Sequence, residues 1–195
     1  MKLILSSCDF LNTNSRKVII NNINKKLEDC KVLFIPNEKD TNIDKHYNRL
    51  YKDGFTNKNN IYIYDENNTD KFKNLDLDII YVGGGNTFAT LNKIRKNNFD
   101  QELYTYISNG VIYIGGSCGA HIVTSNIKHV LNFEDNNIGI TNYDGLNLFD
   151  GIIIPHYDSS REEVYKNLLE ENKYKIYTLT NDESLVIVDN IIKKY

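Results

Sequence analysis

Gly115-Gly116-Ser117-Cys118-Gly119 sets a serine among glycines, where the apolar run Val111 to Ile114 gives way to a short helical segment. A nucleophile on a sharp strand-to-helix turn has strained backbone angles, and flanking glycines keep the neighbouring chain clear of it. The same turn aims backbone N–H groups at the place where an oxyanion develops. The pattern alone arises by chance, but its position after a strand makes Ser117 a candidate nucleophile. The alternative is an inert serine in a tight packing turn. Gly83-Gly84-Gly85-Asn86-Thr87-Phe88 is a second glycine-rich strand exit. A P-loop is excluded because no Lys-Ser/Thr pair follows. A dinucleotide fingerprint fits poorly, because Phe88 stands where its third glycine belongs. Successive glycines let backbone amides approach a ligand unobstructed, so Gly84 and Gly85 read as oxyanion donors, with Asn86 a substrate-binding candidate.

A base must come from four histidines. His46 lies in a polar, Lys- and Asn-rich helix and reads as solvated. His129 sits in an irregular stretch. His121 rides the helix that leaves Ser117 and would have difficulty turning back to its hydroxyl. His156 follows Gly151-Ile152-Ile153-Ile154-Pro155, the exit of another apolar strand, which places it on the same sheet edge as Ser117. It is the candidate base. The three cysteines, Cys8, Cys30 and Cys118, form no CxxC or Cys/His cluster, and HExxH is absent, so no metal site or cofactor is expected.

These residues need a scaffold. Strands are expected at Lys2 to Ser6, Val32 to Ile35, Ile61 to Tyr64, Leu77 to Val82, Val111 to Ile114 and Ile152 to Ile154. Helices are expected at Ser15 to Glu28, with Ser15 as cap, and at Ile43 to Tyr51, Phe88 to Arg95, Gln101 to Ser108 and Glu162 to Glu171. Leu185 to Val188 and Ile191 to Lys194 read as a terminal hairpin about Asp189-Asn190. Apolar strands alternating with amphipathic helices predict an α/β fold with a mostly parallel sheet and helices on both faces. In such sheets, sites collect at the carboxyl ends of the strands.

The chain has 195 residues and a formal net charge of −3, with 41% hydrophobic and 25% charged residues. Those are ordinary globular values, enough for a core without a disulfide or metal staple. Neither a basic footprint for nucleic acid nor an apolar run long enough for a membrane span is visible. The first ten residues carry too little apolar length for a signal peptide and read as a strand. The expectation is one domain over residues 1–195, cytoplasmic, with reduced thiols.

YVGGGNTF (Tyr81 to Phe88), YIGGSCGA (Tyr113 to Ala120) and Pro155-His156-Tyr157 stand in the order and spacing of the peptidase E family. These are serine α-aspartyl dipeptidases related to cyanophycinases. LILSS near the start and VLFIP at Val32 to Pro36 also resemble that family, so the likeness extends over nearly the whole chain. It implies the class I glutamine amidotransferase-like fold, a three-layer α/β/α sandwich. It further implies Ser117 as nucleophile, His156 as general base, and an oxyanion hole from the Cys118 amide with one in Gly84-Gly85. The orienting acid of the family lies between nucleophile and base in the chain, where this sequence offers Glu134 and Asp135. Residue type favours Asp135, counting back from His156 favours Glu134, and Asp144 or Asp150 are further choices.

Cys118 stands where the family usually has alanine. It is read as a packing substitute, with a cysteine nucleophile of the amidotransferase kind as rival. Ser160-Arg161-Glu162-Glu163 resembles the family segment whose arginine recognises the substrate's aspartyl side chain, with Lys93 or Arg95 as substitutes. A planar guanidinium holds a carboxylate bidentately, as a lysine cannot. The resulting expectation is a serine dipeptidase for short peptides with N-terminal aspartate, monomeric or homodimeric. Its partner is a small peptide, not nucleic acid or a membrane. The alternatives are the cysteine enzyme and a catalytically silent small-molecule binding protein on the same fold.

Overall fold

A computed structural model describes residues 1–36 and 42–195. Seven strands form the central sheet: β1 (Lys2–Ser6), β2 (Val32–Ile35), β3 (Ile61–Ile63), β4 (Ile79–Val82), β5 (Ile112–Gly116), β8 (Ser184–Val188) and β9 (Ile191–Lys194). Their spatial order is β3-β2-β4-β5-β1-β8-β9. The first five run parallel, and β8 and β9 complete the edge antiparallel. The hairpin turns at Asp189 and Asn190, both at positive φ (47° and 70°), the pairing that a two-residue turn requires.

The parallel strands carry unbroken apolar runs, Leu3 to Leu5, Val32 to Ile35, Ile61 to Ile63, Ile79 to Val82 and Ile112 to Ile114, because the sheet is covered on both faces. Successive side chains feed opposite cores. Leu3, Leu5, Leu33, Ile80 and Val82 face α3 (Thr87–Arg95), α4 (Phe99–Ser108) and the short α5 (Cys118–Ile122). Ile4, Val32, Phe34, Ile79 and Tyr81 face the side of α1 (Thr13–Asn21) and α2 (Ile43–Asp53), which bury Ile19 and Leu50 there. The result is a mostly parallel α/β/α sandwich, as the sequence implied.

Three expectations need correction. The first helix runs Thr13–Asn21, not from Ser15 to Glu28. Asn12 is its cap, accepting from the amides of Asn14 and Ser15. It ends where the Asn22 side chain donates to the Val18 carbonyl, and asparagines favour such local bonds over helix continuation. His46 is buried rather than solvated, because its place on α2 turns it with Leu50 against the sheet, 5.7 Å from the Phe34 ring. β6 (Ile152–Ile154) is a strand but does not join the main sheet. It pairs in parallel with β7 (Ile176–Thr178), which the sequence did not suggest, to form a separate two-stranded sheet. An apolar run reports burial and not which strand it pairs with. His156 therefore reaches the site from a different sheet edge than Ser117.

Candidate active site

The chain turns at Ser117 between β5 and α5 with φ 50° and ψ −106°. A non-glycine residue there is strained and persists only where its surroundings over-determine it. They do. Ser117 N–H donates to the Ser6 carbonyl at 2.9 Å, and the Ser117 carbonyl accepts from the amides of Ala120 and His121. A Cβ at Gly115 would lie 2.5 Å from the Gly119 carbonyl oxygen, and one at Gly119 would lie 2.3 Å from that of Val82. The glycines are thus required by the closeness of β4, β5 and α5. Gly84 runs past the nucleophile, its Cβ position 3.8 Å from Ser117 Cβ. The Cys118 thiol is buried and donates to the Gly83 carbonyl at 3.0 Å, which commits it to packing and leaves the rival cysteine nucleophile without geometric support.

His156 Nε2 lies 3.0 Å from Ser117 Oγ. Its Nδ1 lies 2.7 Å from Asn181 Oδ1. An amide oxygen can only accept, so Nδ1 carries the proton and Nε2 presents its lone pair to the serine hydroxyl. His156 follows the end of β6 by two residues and Asn181 follows the end of β7 by three. The parallel pairing continues past both strands, with Leu179 N–H donating to the Ile154 carbonyl and Tyr157 N–H to the Leu179 carbonyl. The small sheet thereby sets the imidazole and its partner side by side.

That partner is not an expected acid. Glu134 accepts from the Thr87 amide at 2.6 Å and its hydroxyl at 3.0 Å, a carboxylate at the N-terminus of α3. Asp135 offers its backbone carbonyl to Asn86 Nδ2. The segment between nucleophile and base anchors the glycine-loop helix, while the bond to Nδ1 comes from a loop beyond the base. Asp144 accepts from Asn126, and Asp150 pairs with Lys175 at the surface. Asn86 caps α3 by accepting from Ala89 N–H, and its Nδ2 donates to the Asp135 carbonyl, so its amide ties the glycine loop to the 134–135 segment. Asn181 gave no signal in the sequence, because one more asparagine in an asparagine-rich chain reads as surface.

Arg161 lies just ahead of α6 (Glu162–Glu171), with its guanidinium 4.1 Å above the Phe133 ring. It is partly buried, and burial lowers its pKa against the opposing pull of Asp158 and Glu134. Among the described residues no carboxylate forms an ion pair with it. Arg95 and Lys93, by contrast, donate to backbone carbonyls, Arg95 to Asp144 and Lys93 to Pro36. His121 and His129 are buried with rings 5.1 Å apart. Burial holds the pKa of His121 well below the ordinary value and takes that of His129 from 6.5 to about 4. Both stay neutral at pH 7. No group of three or more His, Cys, Asp or Glu side chains among the described residues could hold a metal ion. Nor is any helix among them long and apolar enough to cross a membrane.

The family model for peptidase family S51 matches residues 2–195. The chain belongs to peptidase family S51. Among curated S51-like relatives, an uncharacterized peptidase of Listeria monocytogenes is 36% identical over 115 residues, covering 56% of each chain. A peptidase E of Haemophilus influenzae is 30% identical over 112 residues, covering 56% of this chain and 49% of its own. The matches thus span about half the length of these relatives. A crystal structure of a Listeria monocytogenes protein assigned to peptidase E superposes with a TM-score of 0.76 at 26% identity, covering 100% of this chain and 97% of that one. A peptidase from an acI-B1 actinobacterium shares the fold, with a TM-score of 0.67 at 16% identity.

Proposed function

We propose that this S51 chain is a serine peptidase that hydrolyses short peptides with N-terminal aspartate. The observation that carries the reading is the relay Ser117 Oγ, His156 Nε2, His156 Nδ1, Asn181 Oδ1, with steps of 3.0 Å and 2.7 Å between residues. Ser117 Oγ attacks the carbonyl carbon of the first residue while His156 Nε2 takes the hydroxyl proton. The resulting oxyanion is held by the Cys118 amide and one from Gly84-Gly85. The C–N bond then breaks, His156 delivers its proton to the leaving amine, and a water activated by the same imidazole hydrolyses the acyl-enzyme. Asn181 holds the imidazole in the productive tautomer, as an acid does elsewhere, but adds no charge to stabilise the imidazolium. Each step uses side chains and backbone amides of this chain.

Arg161 supplies the preference for aspartate. A guanidinium stacked on an aromatic ring, without a carboxylate partner of its own, suits a carboxylate brought by the substrate. The test is release of leucine from Asp-Leu, with Asn-Leu and Ala-Leu for comparison. The reading expects Asp-Leu to be cleaved far faster than the others, and Ser117→Ala to abolish the reaction. Turnover near the wild-type rate in Ser117→Ala would overturn the nucleophile assignment. No turnover of any dipeptide would favour a silent binding protein on the same fold.

A further inference from the structure

Four successive residues at the exit of β1 each touch a different part of the site. The Ser6 carbonyl accepts from Ser117 N–H at 2.9 Å. Ser7 Oγ accepts from His156 N–H at 2.9 Å and lies 3.0 Å and 2.9 Å from the carbonyls of Leu179 and Thr180. Cys8 Sγ lies 3.6 Å from Asn181 Oδ1. Asp9 packs against Gly116, where a Cβ would sit 2.5 Å from Oδ2, and Arg49 holds that same oxygen at 2.7 Å. We infer that Ser6 to Asp9 assemble the catalytic relay, and that Ser7 is the positioning residue on which His156 and Asn181 both depend.

The argument turns on what His156 needs. Its φ is 53°, a left-handed conformation that a non-glycine residue holds only under restraint. Its backbone N–H is satisfied by Ser7 Oγ, a buried hydroxyl that accepts there and donates its one hydrogen to the 179–180 carbonyls. The same oxygen therefore ties the base to the segment that ends in Asn181. β6 and β7 are too short to fix that geometry alone, since each has three residues and they pair only with each other. A hydroxyl on the residue that follows β1, the neighbour of β5, aligns this small sheet with the one that carries Ser117. An alanine at residue 7 would leave the His156 amide without its acceptor and the two carbonyls without their shared donor.

The inference rests on the peptidase reading for its kinetic test and on hydrogen exchange for a test independent of activity. Full-length wild type, Ser7→Ala, Ser7→Thr, Asn181→Ala and the Ser7→Ala/Asn181→Ala pair are compared on Asp-Leu. Misplacing the base by about an ångström lowers kcat about 100-fold in Ser7→Ala, with KM little changed. Ser7→Thr, which keeps the hydroxyl, recovers most of it. The paired variant loses much less than the product of the two single losses, because both act on one imidazole. Exchange of the His156 backbone amide, read by NMR, is fast in Ser7→Ala and slow in wild type and Ser7→Thr. If Ser7→Ala does not fold, Ser7→Cys, similar in size but a poor acceptor, gives the same ordering. A Ser7→Ala enzyme with wild-type kcat and a protected His156 amide overturns the inference, as do losses that simply multiply. If wild type cleaves no dipeptide the peptidase reading fails, and if Ser117→Ala cleaves Asp-Leu at the wild-type rate the serine assignment fails; in either case amide exchange alone decides the role of Ser7.

Discussion

The nucleophile and its base are held in opposite ways. Ser117 emerges from the middle of the seven-stranded sheet, wedged by Gly115, Gly116 and Gly119 against backbone or side chain at less than van der Waals distance for any Cβ. His156 and Asn181 hang from two three-residue strands, and the helix that connects them, α6, buries none of its ten residues. One half of the site is fixed by close packing, which tolerates no added methyl. The other is fixed by a few hydrogen bonds, which can be tuned one at a time. Precision at the site depends on where the two halves meet, at the end of β1.

The comparison can be broken hardest on the packed side. Ser117→Ala removes the covalent route and is expected to lower kcat for Asp-Leu by several orders of magnitude, leaving the residual rate of an oxyanion hole without a nucleophile. Gly119→Ala, 2.3 Å from the Val82 carbonyl, is expected to abolish soluble folded protein rather than merely to slow it. Steady-state kinetics and thermal melting separate the two outcomes.

On the hydrogen-bonded side, Asn181→Ala is expected to lower kcat roughly 100-fold, with folding retained. Asn181→Asp sharpens the point. A carboxylate 2.7 Å from Nδ1 favours the imidazolium, so the base stays protonated to higher pH. The acid limb of kcat/KM then moves upward in pH relative to wild type. An unmoved limb would show that residue 181 does not bear on the base.

A smaller effect is expected at Arg161. Charge-assisted hydrogen bonds to a carboxylate contribute about 1.5–3 kcal/mol, so Arg161→Met is expected to erase most of the Asp-Leu over Asn-Leu ratio in kcat/KM. Arg161→Lys restores the charge without the fork and recovers part of it. A ratio unchanged by Arg161→Met places aspartyl recognition on another residue.

The smallest effect concerns stability. Burial lowers the pKa of His129 from 6.5 to about 4, so between those values the unfolded chain binds a proton that the folded one does not. The stability this histidine contributes is present above about 6.5 and is lost as pH falls toward 4. Replacing it, as in His129→Gln, is expected to flatten the fall of Tm across that window. An unchanged slope would mean that other groups dominate acid unfolding.

The packed half was legible in the sequence because close packing leaves compositional marks. Glycines at 115, 116 and 119 and apolar runs such as Ile79 to Val82 follow from backbone proximity and two-sided burial. The hydrogen-bonded half left fewer. Ile152 to Ile154 read correctly as a strand, but nothing in three isoleucines says that their partner is Ile176 to Thr178. The family likeness points to an acid between nucleophile and base, at Glu134 or Asp135, whereas the bond to His156 comes from an uncharged amide after a strand the sequence did not suggest. Ser7 lay inside a segment noted only for family likeness. Its hydroxyl acquires meaning when residues 7, 156 and 179 to 181, far apart in the chain, are brought to one point.

The central claim is that Ser117 is a nucleophile armed by His156. A fluorophosphonate that phosphonylates activated serines, followed by peptide mass mapping, tests it most directly. The account predicts one adduct per chain on Ser117, none on Cys118, and loss of labelling in His156→Ala. An adduct on Cys118, or labelling of Ser117 undiminished in His156→Ala, would contradict it.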